Sequence, residues 1–148
     1  MQKMKRPLFG VDKNWYVTRV NINEPDPRIE RLRNRRVLMV EDEYFIAKDL
    51  ARALTAVGME IVGPVPSLVE AEAALVDNDL DFAVLDVALD GDKVYHVADA
   101  LIARGVPVLF VTGYDPGALP MRYANVPQCL KPIDVRKVVA ALAGMSGS

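Results

Sequence analysis

Between residues 36 and 130, short apolar runs alternate with longer stretches whose apolar residues recur at helical spacing. Val37-Leu38-Met39-Val40, Phe82-Ala83-Val84-Leu85 and the run from Val106 to Val111 carry almost no polar residue. Such runs read as strands covered on both faces, the signature of a parallel sheet between helices. Strands are expected at 36–40, 60–65, 81–85, 106–111 and 126–130. Pro64 removes a ladder donor and places the second of these at a sheet edge. The helix after the first strand is expected from about Tyr44 to Val57, with Phe45, Ile46, Leu50, Leu54 and Val57 on its apolar face and Gly58 as its stop. Ser67-Leu68-Val69-Glu70 is a capping box that opens the next helix. A third runs from about Lys93 to Arg104, with Val94, Val97, Ala98, Leu101 and Ile102 inward.

Pro116, Gly117 and Pro120 leave room for only a short or poorly formed helix in 115–125. Its large apolar residues are chiefly Leu119, Met121 and Tyr123, so this segment is expected to open at little cost. Asp134 caps the last helix, Ile133 and Val138 form a hydrophobic staple, and the helix stops near Gly144. Right-handed crossovers between parallel strands then give an α/β fold, a doubly wound five-stranded parallel sheet of strand order 2-1-3-4-5.

Composition adds limits to this pattern. The chain has 148 residues, 51% of them hydrophobic and 26% charged, which fits one soluble globular domain. We read 35–144 as that domain, 1–34 as an N-terminal extension and 145–148 as a tail. The extension holds Trp15 beside Tyr16, a β-leaning run to Val20, a turn at Asn23-Glu24-Pro25-Asp26-Pro27 and a charged approach from Arg28 to Arg35. Residues 1–36 carry ten Lys/Arg against four Asp/Glu, whereas 37–148 carry eight against sixteen. A basic arm without an amphipathic period or a DNA-reading motif is expected to be solvated or docked on its own domain, so no nucleic-acid partner is expected. Met1 to Pro7 has charge but no apolar core behind it, and no apolar stretch approaches the ~20 residues of a membrane span. A cytoplasmic location is expected. Cys129, the single cysteine, falls in an expected buried strand and reads as a small hydrophobe in a reducing compartment. Met39 and Met59 read as core filler, and His96 as a surface or satisfied helix histidine.

The chemistry gathers at the strand ends. The first strand leads into Glu41-Asp42-Glu43, the third ends in Asp86, the fourth in Thr112-Gly113, the fifth in Lys131-Pro132. In open parallel sheets the ligand crevice lies beyond the carboxyl ends of the strands. An acid pair, a lone acid, a hydroxyl and an amine therefore share one edge. Clustered carboxylates call for a hard divalent cation, and lysine and threonine suit phosphoryl oxygens. We read the edge as a phosphorylation site with Asp86 as nucleophile. Glu43 also suits the first turn of the following helix as a charge complement to its N-terminus.

Val40-Glu41-Asp42-Glu43, Leu85-Asp86, Val111-Thr112-Gly113 and Lys131-Pro132, each at a strand end and in this order, resemble the receiver domain of bacterial two-component response regulators over about residues 36–143. The resemblance implies a stand-alone receiver that accepts a phosphoryl group from a sensor histidine kinase on Asp86 with Mg²⁺. Such a protein signals to a downstream protein or phosphotransfer partner through a phosphorylation-dependent surface, and catalyses only its own phosphorylation and dephosphorylation. By the same resemblance Glu41 and Asp42 hold Mg²⁺, partly through water, with Asp86 and the backbone carbonyl of Ala88. Thr112 then bonds a phosphoryl oxygen and Lys131 neutralises its charge.

Phe110-Val111-Thr112-Gly113-Tyr114 is similar to the Phe-Ala-Thr-Gly-aromatic signature of a subgroup of single-domain receivers, with Val111 in place of the alanine. Most receivers carry Tyr or Phe three residues before the lysine, where this chain has Gln128, which makes Tyr114 the candidate switch residue. Homodimerisation stays open. Two alternatives stand beside this reading. One is an aspartyl-nucleophile phosphatase of haloacid-dehalogenase type, which needs an acid two residues after the nucleophile, where Ala88 stands. The other is a degenerate receiver acting as an adaptor, against which the full set of site residues argues.

Overall fold

The computed structural model describes residues 26–87, 94–113 and 119–146. The apolar runs form a five-stranded parallel sheet of order β2-β1-β3-β4-β5, as the alternation predicts. β3 (Phe82–Asp86) is the middle strand, between β1 (Arg36–Val40) and β4 (Val108–Thr112). β2 (Glu60–Val65), with Pro64, and β5 (Gln128–Leu130) are the edges. The helices are α1 (Pro27–Glu30), α2 (Tyr44–Ala56), α3 (Leu68–Asp77), α4 (Val94–Ala103) and α5 (Val135–Met145), with a 3₁₀ turn at Met121–Tyr123.

Alternate residues along the strands divide between two cores, as strand geometry requires. Leu38, Val40, Ala83, Leu85, Val108 and Phe110 pack against α3 and α4. Val37, Met39, Phe82, Val84, Leu109 and Val111 pack against α2 and α5. The second core also takes in Leu32, fully buried just after α1, and α1 itself begins on an Asp26 cap that accepts from the Arg28 amide at 2.9 Å. Each large side chain so buried contributes about 1.5–3 kcal/mol.

Caps close the helices where the residues call for them. The Ser67 hydroxyl accepts from the Glu70 amide and donates to the Glu70 carboxylate, and Asp134 accepts from the Arg136 amide. Gly58, at φ +90°, ends α2. α5 runs through Gly144 to Met145 instead of stopping there, and Ser146 closes it by donating its hydroxyl to the Ala143 carbonyl.

Several expectations need correction. Phe45 is 77% exposed: it lies five residues before Leu50, about 140° around the helix from the buried stripe of Ala47, Leu50 and Leu54. Ile102 is likewise exposed, one residue and about 100° beyond Leu101. β4 and β5 begin two residues later than expected, because Pro107 and Pro127 have no amide to donate; their carbonyls still accept from Ala83 and Phe110.

The segment 119–125 is also held more firmly than its prolines suggest. Tyr123 is fully buried, its ring 5.2 Å from that of Phe110 and 5.1 Å from that of Tyr95. Its hydroxyl donates to Asp99 and lies 3.1 Å from the Tyr95 carbonyl. Arg122 pairs with Asp99 at 3.3 Å and lies over the Tyr123 ring. An aromatic body with a satisfied polar tip is a strong anchor, which contradicts cheap opening of these residues; residues 115–118 lie outside the described residues.

Gly63 sets the path of the edge strand. It sits at φ +106°, where β2 shifts register against β1 between Leu38 and Val40. A Cβ there would stand 2.7 Å from the Val65 amide nitrogen and 2.9 Å from the Met39 carbonyl, both backbone atoms. Val65 in turn accepts from the Glu41 amide at 3.0 Å. Gly63→Ala is expected to destabilise the fold by about 2 kcal/mol or more, read as a lower urea midpoint with an unchanged slope.

Candidate functional site

The parallel register brings four strand ends to one edge. Val40 pairs with Leu85, Asp86 with Val111, and Thr112 with Leu130. Glu41 therefore follows β1 beside the end of β3, and the Lys131 amide donates to the Thr112 carbonyl at 2.9 Å. Asp86, Thr112 and Glu41 are buried, whereas Asp42 is exposed. One carboxylate oxygen from each of Glu41, Asp42 and Asp86 lies within 4.8 Å of the others.

Lys131 faces these acids. Its ammonium stands 2.8 Å from Glu43 Oε1, 3.2 Å from Asp86 Oδ2 and 3.6 Å from Glu41 Oε2. Partial burial works against the Lys131 charge, but hydrogen bonds to Glu43 and Asp86 and the charges of Asp86 and Glu41 outweigh it, so its pKa is held above that of an ordinary lysine. Glu41 is the strained member. Its Oε2 accepts from the Glu43 amide at 3.1 Å, but its buried Oε1 finds no donor among the described residues. Burial, then hydrogen bonding to Asp86, push its carboxyl up to about 8. A carboxyl facing another acid supplies its own donor by keeping a proton.

These features fit a divalent cation. A bare buried oxygen and three converging carboxylates give the all-oxygen donor set that Mg²⁺ prefers. The structure brings together Glu41, Asp42, Asp86 and Lys131, and ties Thr112 to Lys131 through the backbone. Ala88 and Tyr114 lie outside the described residues. Gln128 is half-buried on β5, with its side-chain oxygen lacking a donor among the described residues. Cys129 is half-buried, its thiol pushed up by burial, and His96 is exposed.

Sequence reasoning missed two residues. Glu43 is at the N-cap of α2 but makes no side-chain cap bond; its carboxylate goes to Lys131 instead. No local pattern signals a contact 88 residues away in sequence. Tyr123 was within reach of inference only as one apolar residue in a proline-rich loop.

No family model matches the chain. The curated protein "Sensory transduction protein LytT" of Bacillus anthracis is 30% identical over 111 residues, 72% of this chain and 45% of that protein. This chain thus spans under half the length of that relative. Among solved structures, SdrG of Pseudomonas melonis Fr1, in its BeF3-activated conformation, is 37% identical with a TM-score of 0.65, covering 75% of this chain and 95% of that one. The response regulator PhyR of Brucella abortus is 26% identical with a TM-score of 0.67, covering 79% of this chain and 49% of that one.

The Glu41 carboxyl gives a pH signature. Its pKa in the fold, about 8, lies above its ordinary 4.5, so the folded state holds the proton more tightly than the unfolded chain. Stability from this group is full below pH ~4.5 and is lost as pH rises through ~8. In chelator, the melting temperature is expected to fall between pH 5 and 8.5, and Glu41→Gln to flatten that fall. A parallel fall in both proteins would assign it elsewhere.

Proposed function

This chain belongs to the response regulator receiver family, and from that premise we propose that it accepts a phosphoryl group on Asp86 from the phosphohistidine of a sensor kinase. The observation that carries the reading is the buried Asp86 carboxylate with Lys131 at 3.2 Å, flanked by Glu41 and Asp42. An Asp86 oxygen attacks phosphorus, the histidine nitrogen departs with the bonding pair, and an acyl phosphate forms. The charge spread over the phosphoryl oxygens needs neutralising, since phosphoryl transfer is mostly positioning and electrostatics. Lys131 supplies one positive charge at the acceptor oxygen. Thr112, at the end of β4, offers a hydroxyl to the attached group. Glu41, Asp42 and Asp86 would hold Mg²⁺ with the Ala88 carbonyl, and the ion would add charge neutralisation. Glu41, whose carboxyl is held protonated up to about pH 8, would have to release that proton to serve as a ligand.

The output follows from the same ties. The Lys131 amide is bonded to the Thr112 carbonyl and its ammonium to Asp86, so a group on Asp86 would bear on β4 and β5 together. Gln128 brings no aromatic ring to the usual switch position, and in this reading Tyr114 takes that role. The likeness to SdrG, matched over 95% of its chain, supports the receiver reading of this domain. No helix among the described residues is long and apolar enough to cross a membrane, and we assign a cytoplasmic protein with a kinase upstream and a downstream protein or phosphotransfer partner. Homodimerisation is compatible with this assignment. The phosphatase alternative lacks its second acid at Ala88 and support among these relatives.

Acetyl phosphate with Mg²⁺ is expected to add one phosphoryl mass to the wild type, and none to Asp86→Asn or to chelated protein, read by intact mass. An unchanged yield in Asp86→Asn would sink the assignment. Lys131→Ala is expected to take up some phosphoryl group yet show much smaller amide shift changes between Thr112 and Lys131. Full wild-type shifts in that variant would remove Lys131 from the coupling.

A further inference from the structure

We propose that Glu43 is a positioning residue that holds Lys131 in the resting protein and competes with an incoming phosphoryl group for its ammonium. The inference rests on Asp86 as the acceptor and adds a residue to that site. Glu43 makes the shortest of the three Lys131 contacts, 2.8 Å against 3.2 Å to Asp86 and 3.6 Å to Glu41. An aspartate at a helix N-cap ordinarily turns its carboxylate to the amides of the first turn. Glu43 does not: its side chain makes no cap bond and reaches β5's end instead. Its backbone is fixed by the 3.1 Å bond from its amide to Glu41 Oε2, so the carboxylate is held in register with the acid pair.

A lysine ammonium is a compact point charge with three donors on a flexible stem, free to re-aim among acceptors. In the resting state Glu43 and Asp86 both take a donor. A phosphoryl-like group on Asp86 brings new oxygens and more negative charge, and Lys131 must shift towards it. Glu43 pulls the ammonium the other way and adds a negative charge beside the newcomer. The glutamate therefore lowers the site's affinity for phosphoryl groups while keeping Lys131 ordered when none is present. It is the more exposed partner, so the effect is modest and screened by salt.

Beryllofluoride with Mg²⁺ is a noncovalent stand-in for the phosphoryl group, and its binding can be titrated by NMR on the whole chain. Glu43→Gln is expected to bind it about two- to fivefold more tightly than the wild type, with the gap narrowing at high salt. In the same variant without beryllofluoride, the Lys131 side-chain signals should shift and sharpen as the ammonium loses its Glu43 partner, a change a purely structural role would not produce. Glu43→Asp keeps the charge but draws it back, and is expected to fall between the two on both measures. A wild type that binds well while Glu43→Gln binds equally or more weakly would overturn the role of Glu43 alone. A wild type that takes up no beryllofluoride would overturn the acceptor reading and this inference with it.

Discussion

Burying Asp86 and Glu41 at the end of a sheet is the constraint around which the rest of the molecule is arranged. Two acids set almost out of water beside each other are costly unless something positive or a proton sits between them. Lys131 provides part of that compensation, and the proton retained by Glu41 provides more. Neither satisfies the bare Glu41 oxygen. The resting site is thus held in a state that favours gaining positive charge, which is the condition for taking a cation together with an anionic phosphoryl group.

That arrangement depends on sheet geometry more than on any single side chain. Parallel pairing puts every strand's carboxyl end on the same edge, and the register from Val40 through Leu85 and Val111 to Leu130 decides which residues meet. A one-residue slip would turn Asp86 towards a core face and bring Leu85 to the edge. Gly63 protects this register from the other side: it lets β2 approach β1 closely enough for Val65 to receive the Glu41 amide. The acid pair is thereby fixed by the backbone on one side and by Lys131 on the other.

The fold and most of the site were legible because they follow from periodicity and chain order. Uniformly apolar runs signal strands buried on both faces, and a polar residue directly after each run marks a strand end. Those two facts place Glu41, Asp42, Asp86 and Lys131 at one edge, and right-handed crossovers add the doubly wound strand order. The failures share a cause. Phe45 and Ile102 were placed by hydrophobicity where helix angle decides exposure. Glu43 and Tyr123 form their decisive contacts with residues far away in sequence, Lys131 and Asp99. Proline count described the backbone of 119–125 but not the ring that fastens it.

That ring limits how a shift at the site can spread. Phe110 lies two residues before Thr112 on the same face of β4, and its ring touches both Tyr95 on α4 and Tyr123. Tyr123 is bound to Asp99, so the 3₁₀ turn at Met121–Tyr123 is fastened to α4. β4, α4 and the turn at Met121–Tyr123 thus share one anchor beyond the site. The phenol is pushed up to about 12, chiefly by burial and by its bond to Asp99, so it stays a donor at any physiological pH. Movement started at Thr112 is therefore confined by a fixed point at Tyr123. Among the described residues, a shift of Phe110 that carries Tyr123 with it must also bear on α4 through Asp99.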